Sequence, residues 1–360
     1  IDTISRLNLI LEIRMTTNLP IIKGIGYAVP STKITNADLT KLYDTSDEWI
    51  YSRTGIKERR IFSNDTEAFD LLRKACLQAL ANAEVAADNI DLILAATSMP
   101  VQMMPSTACM VQKLLNIAST APAFDISAAC SGFVYALDTA NAYIRSGIYK
   151  NILLVTIDNC SRYLDWTDRR TSILFGDGIG AAVISTGSTS DILTIDIRAD
   201  GTIGDYITLP SAAGNCPFVE PNSDAQTLGM KGQDVYKFVA NTIPSYVAET
   251  LLAHNGISPQ EIDYLVLHQA NQRITAAVQE RLGFAEQKVI SNIEYLGNTS
   301  ASSIPIALGE AIQNGRLKTP ATVVICGFGA GMCWGGGVIR LNDGIFKKEN
   351  IFQTQHEDTK

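Results

Sequence analysis

The sequence is short of several things that define common protein classes. It has three histidines in 360 residues, and its seven cysteines, at positions 76, 109, 130, 160, 216, 326 and 333, form no C-x-x-C pair. No histidine pair has metal-ligand spacing either, so no metal site, bound cofactor or disulfide framework is expected, and the scattered thiols suit a reducing cytoplasm. There is no basic excess: the formal charge is −8, which argues against a nucleic-acid partner. No apolar run approaches the roughly 20 residues of a membrane span. The short apolar stretch within residues 1–14 (IDTISRLNLILEIR) lacks a small-residue cleavage site, which argues against a signal peptide. Those residues precede Met15 and read as extra sequence upstream of the natural start, with an added amphipathic helix as the alternative.

What is present is ample apolar content, 46%, for a large core in two domains or two tightly packed halves. Strand-like runs at 91–97 (DLILAAT), 122–127 (PAFDIS), 151–157 (NILLVTI) and 180–185 (GAAVIS) alternate with helical stretches at 67–83, 105–116 and 131–146. That alternation predicts α/β architecture with buried sheets. DNIDLILAATS (88–98) is echoed by QEIDYLVLHQA (260–270), and FGDGIGAAVI (175–184) by FGAGMCWGGGVI (328–339), in the same order. The pattern suggests a duplicated unit, with halves at 15–187 and 188–342 meeting near the short segment STGSTSD (185–191). Beyond Asn342 the chain is polar and reads as a loose tail over 343–360.

In PAFDISAACSGFVYALDTANAYIRSG (122–147) an extended run ends at Ser127 and a helix begins near Ser131, placing Cys130 at the helix N-terminus. The exposed N–H groups and dipole there favour a thiolate and predict a thiol pKa below the usual value of about 8.5. The small neighbours Ala128, Ala129, Ser131 and Gly132 leave room for a ligand. A buried structural cysteine suits the segment equally well.

Of the histidines, His356 falls in the tail, and His254 ends a helix before Asn-Gly, where a cation complements the dipole. His268 ends the apolar run DYLVLHQAN, so a buried strand delivers it to a sheet edge, either as a core histidine or as a site residue. Asn298, in YLGNTSASSIP (295–305), either caps a helix or projects its amide into the same cavity. FGDGIG and GFGAG are each followed by strand-like residues instead of a helix, which argues against dinucleotide binding. Their glycines suit either tight turns or backbone N–H groups that approach a reacting carbonyl.

Six segments together resemble β-ketoacyl-acyl-carrier-protein synthase III over residues 21 to 341: TSDEWIYSRTGIKERRI (45–61), DISAACSGF, TDRRTSILFGDGIGAAVI (167–184), LVLHQANQRI, GNTSASSIP and GFGAGMCWGGGVIR (327–340). The resemblance implies a thiolase-like five-layer α-β-α-β-α fold of two duplicated halves, assembled as a homodimer. It implies that Cys130 is the acylated nucleophile and that His268 and Asn298 bond the malonyl thioester carbonyl. Phe328 matches the aromatic residue beside them, and the Cys130 and Ala330 amides match an oxyanion hole. Trp49 matches the residue stacked on the coenzyme A adenine, with Arg169 on the other face; Thr45 and Arg53 match further coenzyme A contacts. Gly232 and Asn271 match positions lining the pantetheine tunnel, and Arg273 and Lys237 match basic residues that dock the acyl carrier protein.

The implied partners are an acyl-CoA primer and malonyl-acyl carrier protein, joined by decarboxylative Claisen chemistry through an acyl-Cys130 intermediate. Arg170 and Trp166 depart from the family's frequent glycine and proline at the coenzyme A mouth. Met104 stands at an aromatic position that shapes the primer pocket across the dimer, and a flexible methionine suits a longer primer than acetyl. The alternatives are a condensing enzyme or acyltransferase of secondary metabolism or pimelate-precursor synthesis, a non-catalytic thioester-binding subunit, and a dinucleotide-dependent oxidoreductase.

Overall fold

The computed structural model describes residues 18–117, 120–210 and 227–347; residues 1–14, Cys216 and His356 lie outside these ranges. Two sheets carry the architecture. The first has the order β1 (Leu19–Ala28), β7 (Gly178–Gly187), β6 (Asn151–Asp158), β4 (Leu92–Ala96), β5 (Ala123–Ile126). The second runs β11 (Tyr264–Leu267), β12 (Ala321–Gly329), β13 (Cys333–Leu341), β8 (Ile192–Ala199). Two small ribbons, β2 (Thr32–Thr35) with β3 (Glu58–Ile61) and β9 (Ile207–Thr208) with β10 (Gly229–Met230), border them. The seven longer helices are α1 (Asp47–Thr54), α2 (Asp65–Ala83), α3 (Thr107–Leu115), α4 (Gly132–Arg145), α5 (Gly232–Ser245), α6 (Gln272–Leu282) and α7 (Ser303–Gln313).

Alternation along the strands builds the layers. On β4, Leu92, Leu94 and Ala96 face the core between the sheets, while Ile93 and Ala95 face the opposite way. On β12, Val323 and Ile325 join the same central core, and Val324 and Cys326 face outward. Helices α4 and α7 fill the middle, α2 and α3 cover the outside of the first sheet, and α5 and α6 cover the second. The result is an α-β-α-β-α stack. Strands buried on both faces read as continuous apolar runs, as β4 and β6 do.

Helix α2 shows how local sequence sets an element. Asn64 caps it by accepting from Glu67 N at 2.9 Å, and Ala68, Leu72, Ala75, Ala79 and Ala83 recur at helical spacing on the buried face. The small face lets β1 lie directly on the helix: a Cβ on Gly26 would stand 2.2 Å from Ala75 O.

One sequence expectation is corrected at the end of the chain. The segment after Asn342 is not wholly a loose tail. Ile345 and Phe346 are buried in the central core, Ile25 N donates to Ile345 O at 3.2 Å, and Lys347 N donates to Asn82 Oδ1 at 3.0 Å. Two apolar side chains in a polar stretch suffice to anchor it. Residues 348–360 lie outside the described ranges.

Candidate active site

Cys130, His268 and Asn298 come from three separate segments and line one cavity of about 1330 Å³. Parallel strands deliver two of them. β5 ends at Ile126, a 3₁₀ turn spans Ala129–Ser131, and α4 follows, so Cys130 sits just before the helix. β11 ends at Leu267, and His268 N donates to Cys326 O of β12 at 2.8 Å. Asn298 is held by backbone bonds on both sides: its N donates to Leu174 O, and its carbonyl accepts from Gly176 N, each at 2.9 Å.

The three side chains are oriented by neighbours. His268 is buried, its Nδ1 lies 2.7 Å from Ser303 Oγ, and its ring meets Phe328 edge-on at 5.2 Å. Burial pulls the imidazole down to about 3, so it is neutral near neutral pH. With Ser303 donating to Nδ1, the proton resides on Nε2, which becomes a hydrogen-bond donor. Asn298 Oδ1 accepts from Ser300 N at 2.8 Å, which leaves the Nδ2 amide hydrogens for the cavity. Two neutral side chains thus border Cys130.

The expected lowering of the Cys130 thiol is reversed. Burial pushes it up to about 12; a hydrogen bond from Ser300 opposes the rise and the charge of Asp158 adds to it. Cys130 is half-buried in the cavity wall, and the enclosure of its sulfur opposes the pull of the helix terminus. Asp158, at the buried end of β6, accepts from Thr97 Oγ1 at 3.1 Å and from Ser98 N and Met99 N at 2.8 Å. Burial raises its carboxyl above the ordinary value.

The turn between β12 and β13 presses onto Cys130. A Cβ on Gly329 would lie 2.6 Å from Cys130 N, so only glycine lets the two backbones meet. Ala330 follows in the cavity wall, beside Phe328. Both glycine-rich segments run into strands, β7 and β13, as their residues predict.

Arg53, Arg170, Gly232, Lys237, Asn271 and Arg273 also line the cavity. Asn271 caps α6 by accepting from Arg273 N at 2.8 Å and donates through Nδ2 to Arg53 O at 3.0 Å, joining α1 to α6. Trp49, Thr45 and Arg169 are not in the cavity wall; Trp49 and Arg169 cluster beside it through Arg53. The guanidinium carbons of Arg53 and Arg169 stand 4.3 and 4.6 Å from the Trp49 ring centroid. Arg169 also donates to Asp44 O at 2.7 Å, and the buried Thr45 hydroxyl has no partner among the described residues. Arg170 pairs with Asp168 at 2.8 Å, and Trp166 Nε1 donates to Ser161 O at 3.1 Å. Met104 is 88% exposed and does not border its own chain's cavity. His254 is exposed at a helix end, away from the site.

Sequence reasoning missed Ser300, Ser303 and Asp158. The serine-rich run TSASS and the charged end of the buried strand NILLVTID were the available signals. Among the described residues, no group of three or more His, Cys, Asp or Glu side chains is placed to hold a metal ion, and no helix is long and apolar enough to cross a membrane.

Five layers of this kind, with a cysteine at a strand–helix junction, a histidine and an asparagine around one cavity, define a thiolase-fold condensing enzyme, an acyltransferase. Profiles of 3-oxoacyl-[acyl-carrier-protein] synthase III match residues 124–201, and of its C-terminal part residues 252–341. Beta-ketoacyl-[acyl-carrier-protein] synthase III of Thermosynechococcus vestitus is 46% identical over 321 residues, 88% of this chain and 97% of its own. The crystal structure of the Aquifex aeolicus 3-oxoacyl-[acyl-carrier-protein] synthase III superposes with a TM-score of 0.82 at 40% identity, covering 89% of this chain and all of that one. A priming β-ketosynthase from a polyketide biosynthetic pathway superposes with a TM-score of 0.83 at 31% identity, over 91% of this chain and 97% of that one. The chain belongs to the β-ketoacyl-acyl-carrier-protein synthase III family.

Proposed function

We propose that this enzyme condenses an acyl-CoA primer with malonyl-acyl carrier protein, through an acyl group carried on Cys130, to begin fatty acid synthesis. The observation that carries this reading is the convergence of Cys130, His268 and Asn298 on one cavity. In the first half-reaction the Cys130 sulfur attacks the acyl carbonyl carbon as a thiolate, the carbon–sulfur bond to coenzyme A breaks, and coenzyme A leaves as the thiol, carrying the proton that Cys130 gave up. The Cys130 and Ala330 amides receive the oxyanion. Malonyl-acyl carrier protein then enters, and its carbon–carboxylate bond breaks. Carbon dioxide departs, and the electron pair forms an enolate whose oxygen accepts from His268 Nε2 and Asn298 Nδ2. The enolate carbon attacks the Cys130 thioester, and the sulfur leaves as thiolate. Each donor is worth roughly 2.7–4 kcal/mol in such a site, and covalent catalysis divides one hard step into two.

The coenzyme A mouth is assigned to Trp49, Arg53, Arg169 and Thr45, with Gly232 and Asn271 along the pantetheine path. Arg169 rests on the Trp49 ring, so an adenine enters between them only after Arg169 swings away. Lys237 and Arg273, at the cavity rim, are assigned to the acidic carrier protein. Two duplicated halves, 15–187 and 188–342, make up each protomer, and we assign a cytoplasmic homodimer in which Met104 closes the partner's primer pocket. The exposure of Met104 and of Phe124 on the edge strand β5 supports that assembly. The likeness to a priming ketosynthase favours one second reading, a primer other than acetyl in secondary metabolism.

The test is intact-protein mass spectrometry with acetyl-CoA and longer acyl-CoA primers, followed by malonyl-acyl carrier protein. Wild-type enzyme gains one acyl group and Cys130→Ser gains none. His268→Ala and Asn298→Ala load but release little carbon dioxide or β-ketoacyl product. An adduct on another cysteine of Cys130→Ser would refute the assignment.

A further inference from the structure

Among the described residues, four other than glycine have positive φ: Glu84 (52°), Asn116 (52°), Ala129 (45°) and Ser300 (51°). Glu84 and Asn116 end helices, where a left-handed residue is the ordinary way to stop. Ala129 and Ser300 end no helix, and both adjoin Cys130. Ala129 immediately precedes Cys130, and Ser300 Oγ donates to Cys130 Sγ at 3.3 Å. A side chain held at such φ is strained and persists only where its surroundings over-determine it. The two 3₁₀ turns, Ala129–Ser131 and Ser300–Ser302, are pressed together. A Cβ on Gly132 would come within 3.2 Å of Ala301 Cβ.

We propose that Ser300 is a further catalytic residue, whose hydroxyl donates to the Cys130 sulfur and stabilises the thiolate that attacks the acyl thioester. This deepens the acyl-transfer reading and rests on it. The serine passes no proton in the step; it holds negative charge on sulfur until the new carbon–sulfur bond forms. Ser300 is fully buried, so no water competes for the sulfur on that side. Its one proton faces a second acceptor, the Asp158 carboxylate. That carboxylate already accepts from Thr97 Oγ1, Ser98 N, Met99 N and Ala301 N, and the serine hydroxyl is set to donate to the sulfur. The backbone N–H of Ser300 holds Asn298 Oδ1 at 2.8 Å, so a single strained residue registers the nucleophile against one of the enolate donors.

The experiment uses the full chain with Ser300→Ala and Ser300→Gly. Glycine removes the hydroxyl and relaxes the left-handed backbone, so this variant folds even where alanine does not. Two rates are measured at one fixed pH: alkylation of Cys130 by iodoacetamide, and loading from acetyl-CoA by intact mass. Both fall about tenfold or more in both variants, the scale of one hydrogen bond to a charged group. Wild-type rates in both variants overturn the proposal. So does a slow Ser300→Ala beside a wild-type Ser300→Gly, because backbone geometry is then the whole effect. If wild-type enzyme takes no acetyl group, the proposed function fails instead; alkylation needs no acyl donor and still decides the role of Ser300.

Discussion

His268 Nδ1 and Ser303 Oγ lie 2.7 Å apart, both buried, just past the end of β11 and at the start of α7. The contact occupies Nδ1 and leaves Nε2 for the cavity; where Ser303 is the donor, Nε2 carries the proton. A histidine free to exchange tautomers offers a lone pair as often as a donor, and only the donor stabilises an enolate oxygen.

Ser303→Ala therefore slows decarboxylation of malonyl-acyl carrier protein about tenfold, the order of one lost hydrogen bond. Acyl loading on Cys130 stays at its wild-type rate, since that step does not use His268. Single-turnover carbon dioxide release, measured beside intact-mass loading, separates the two.

The same histidine sets part of the pH dependence of stability. Its pKa is about 6.5 unfolded and is depressed to about 3 by burial. Between these values the unfolded chain binds the proton and the native chain does not. The contribution is fully present above about pH 6.5 and is lost as pH falls toward 3. His268→Gln shows a shallower loss of stability across that window in urea unfolding, whereas Cys130→Ser keeps the wild-type slope.

Trp49→Ala tests the coenzyme A mouth. The ring holds two guanidinium groups, at 4.3 and 4.6 Å, and is the proposed stacking face for the adenine. KM for acyl-CoA rises about tenfold while kcat changes by less than about twofold, because the lost contact is made equally in the ground and transition states. Steady-state kinetics with acyl-CoA varied reads both constants.

Gly329→Ala places a methyl group 2.6 Å from Cys130 N and 3.0 Å from Cys130 Cβ. One backbone must retreat. Stability falls by about 1–3 kcal/mol, the usual cost of overpacking. Acyl loading falls far more, because the retreat opens the oxyanion hole. Thermal melting and intact-mass loading give the two numbers.

Much of the fold was legible before any coordinates. The continuous apolar runs at 91–97 and 151–157 are strands β4 and β6, buried on both faces. The helix expected over 131–146 is α4, one residue shorter at each end. Isolated features misled where a short-range pattern met a long-range contact. Ile345 and Phe346 sit in a polar stretch, yet they complete the central core because β1 runs beside them. The helix terminus at Cys130 promised an acidic thiol, and enclosure of the half-buried side chain pushes it the other way.

The amino-acid order by itself determined the layers, because a period of two or 3.6 is a local property, and it determined which strand ends carry Cys130 and His268. Only the folded chain decided that these residues share a cavity with Asn298, that Ser303 sets the imidazole and that Ser300 reaches the sulfur from 170 positions away. Such contacts depend on how separate segments pack. Dielectric surroundings depend on the same packing, and no window along the sequence contains it.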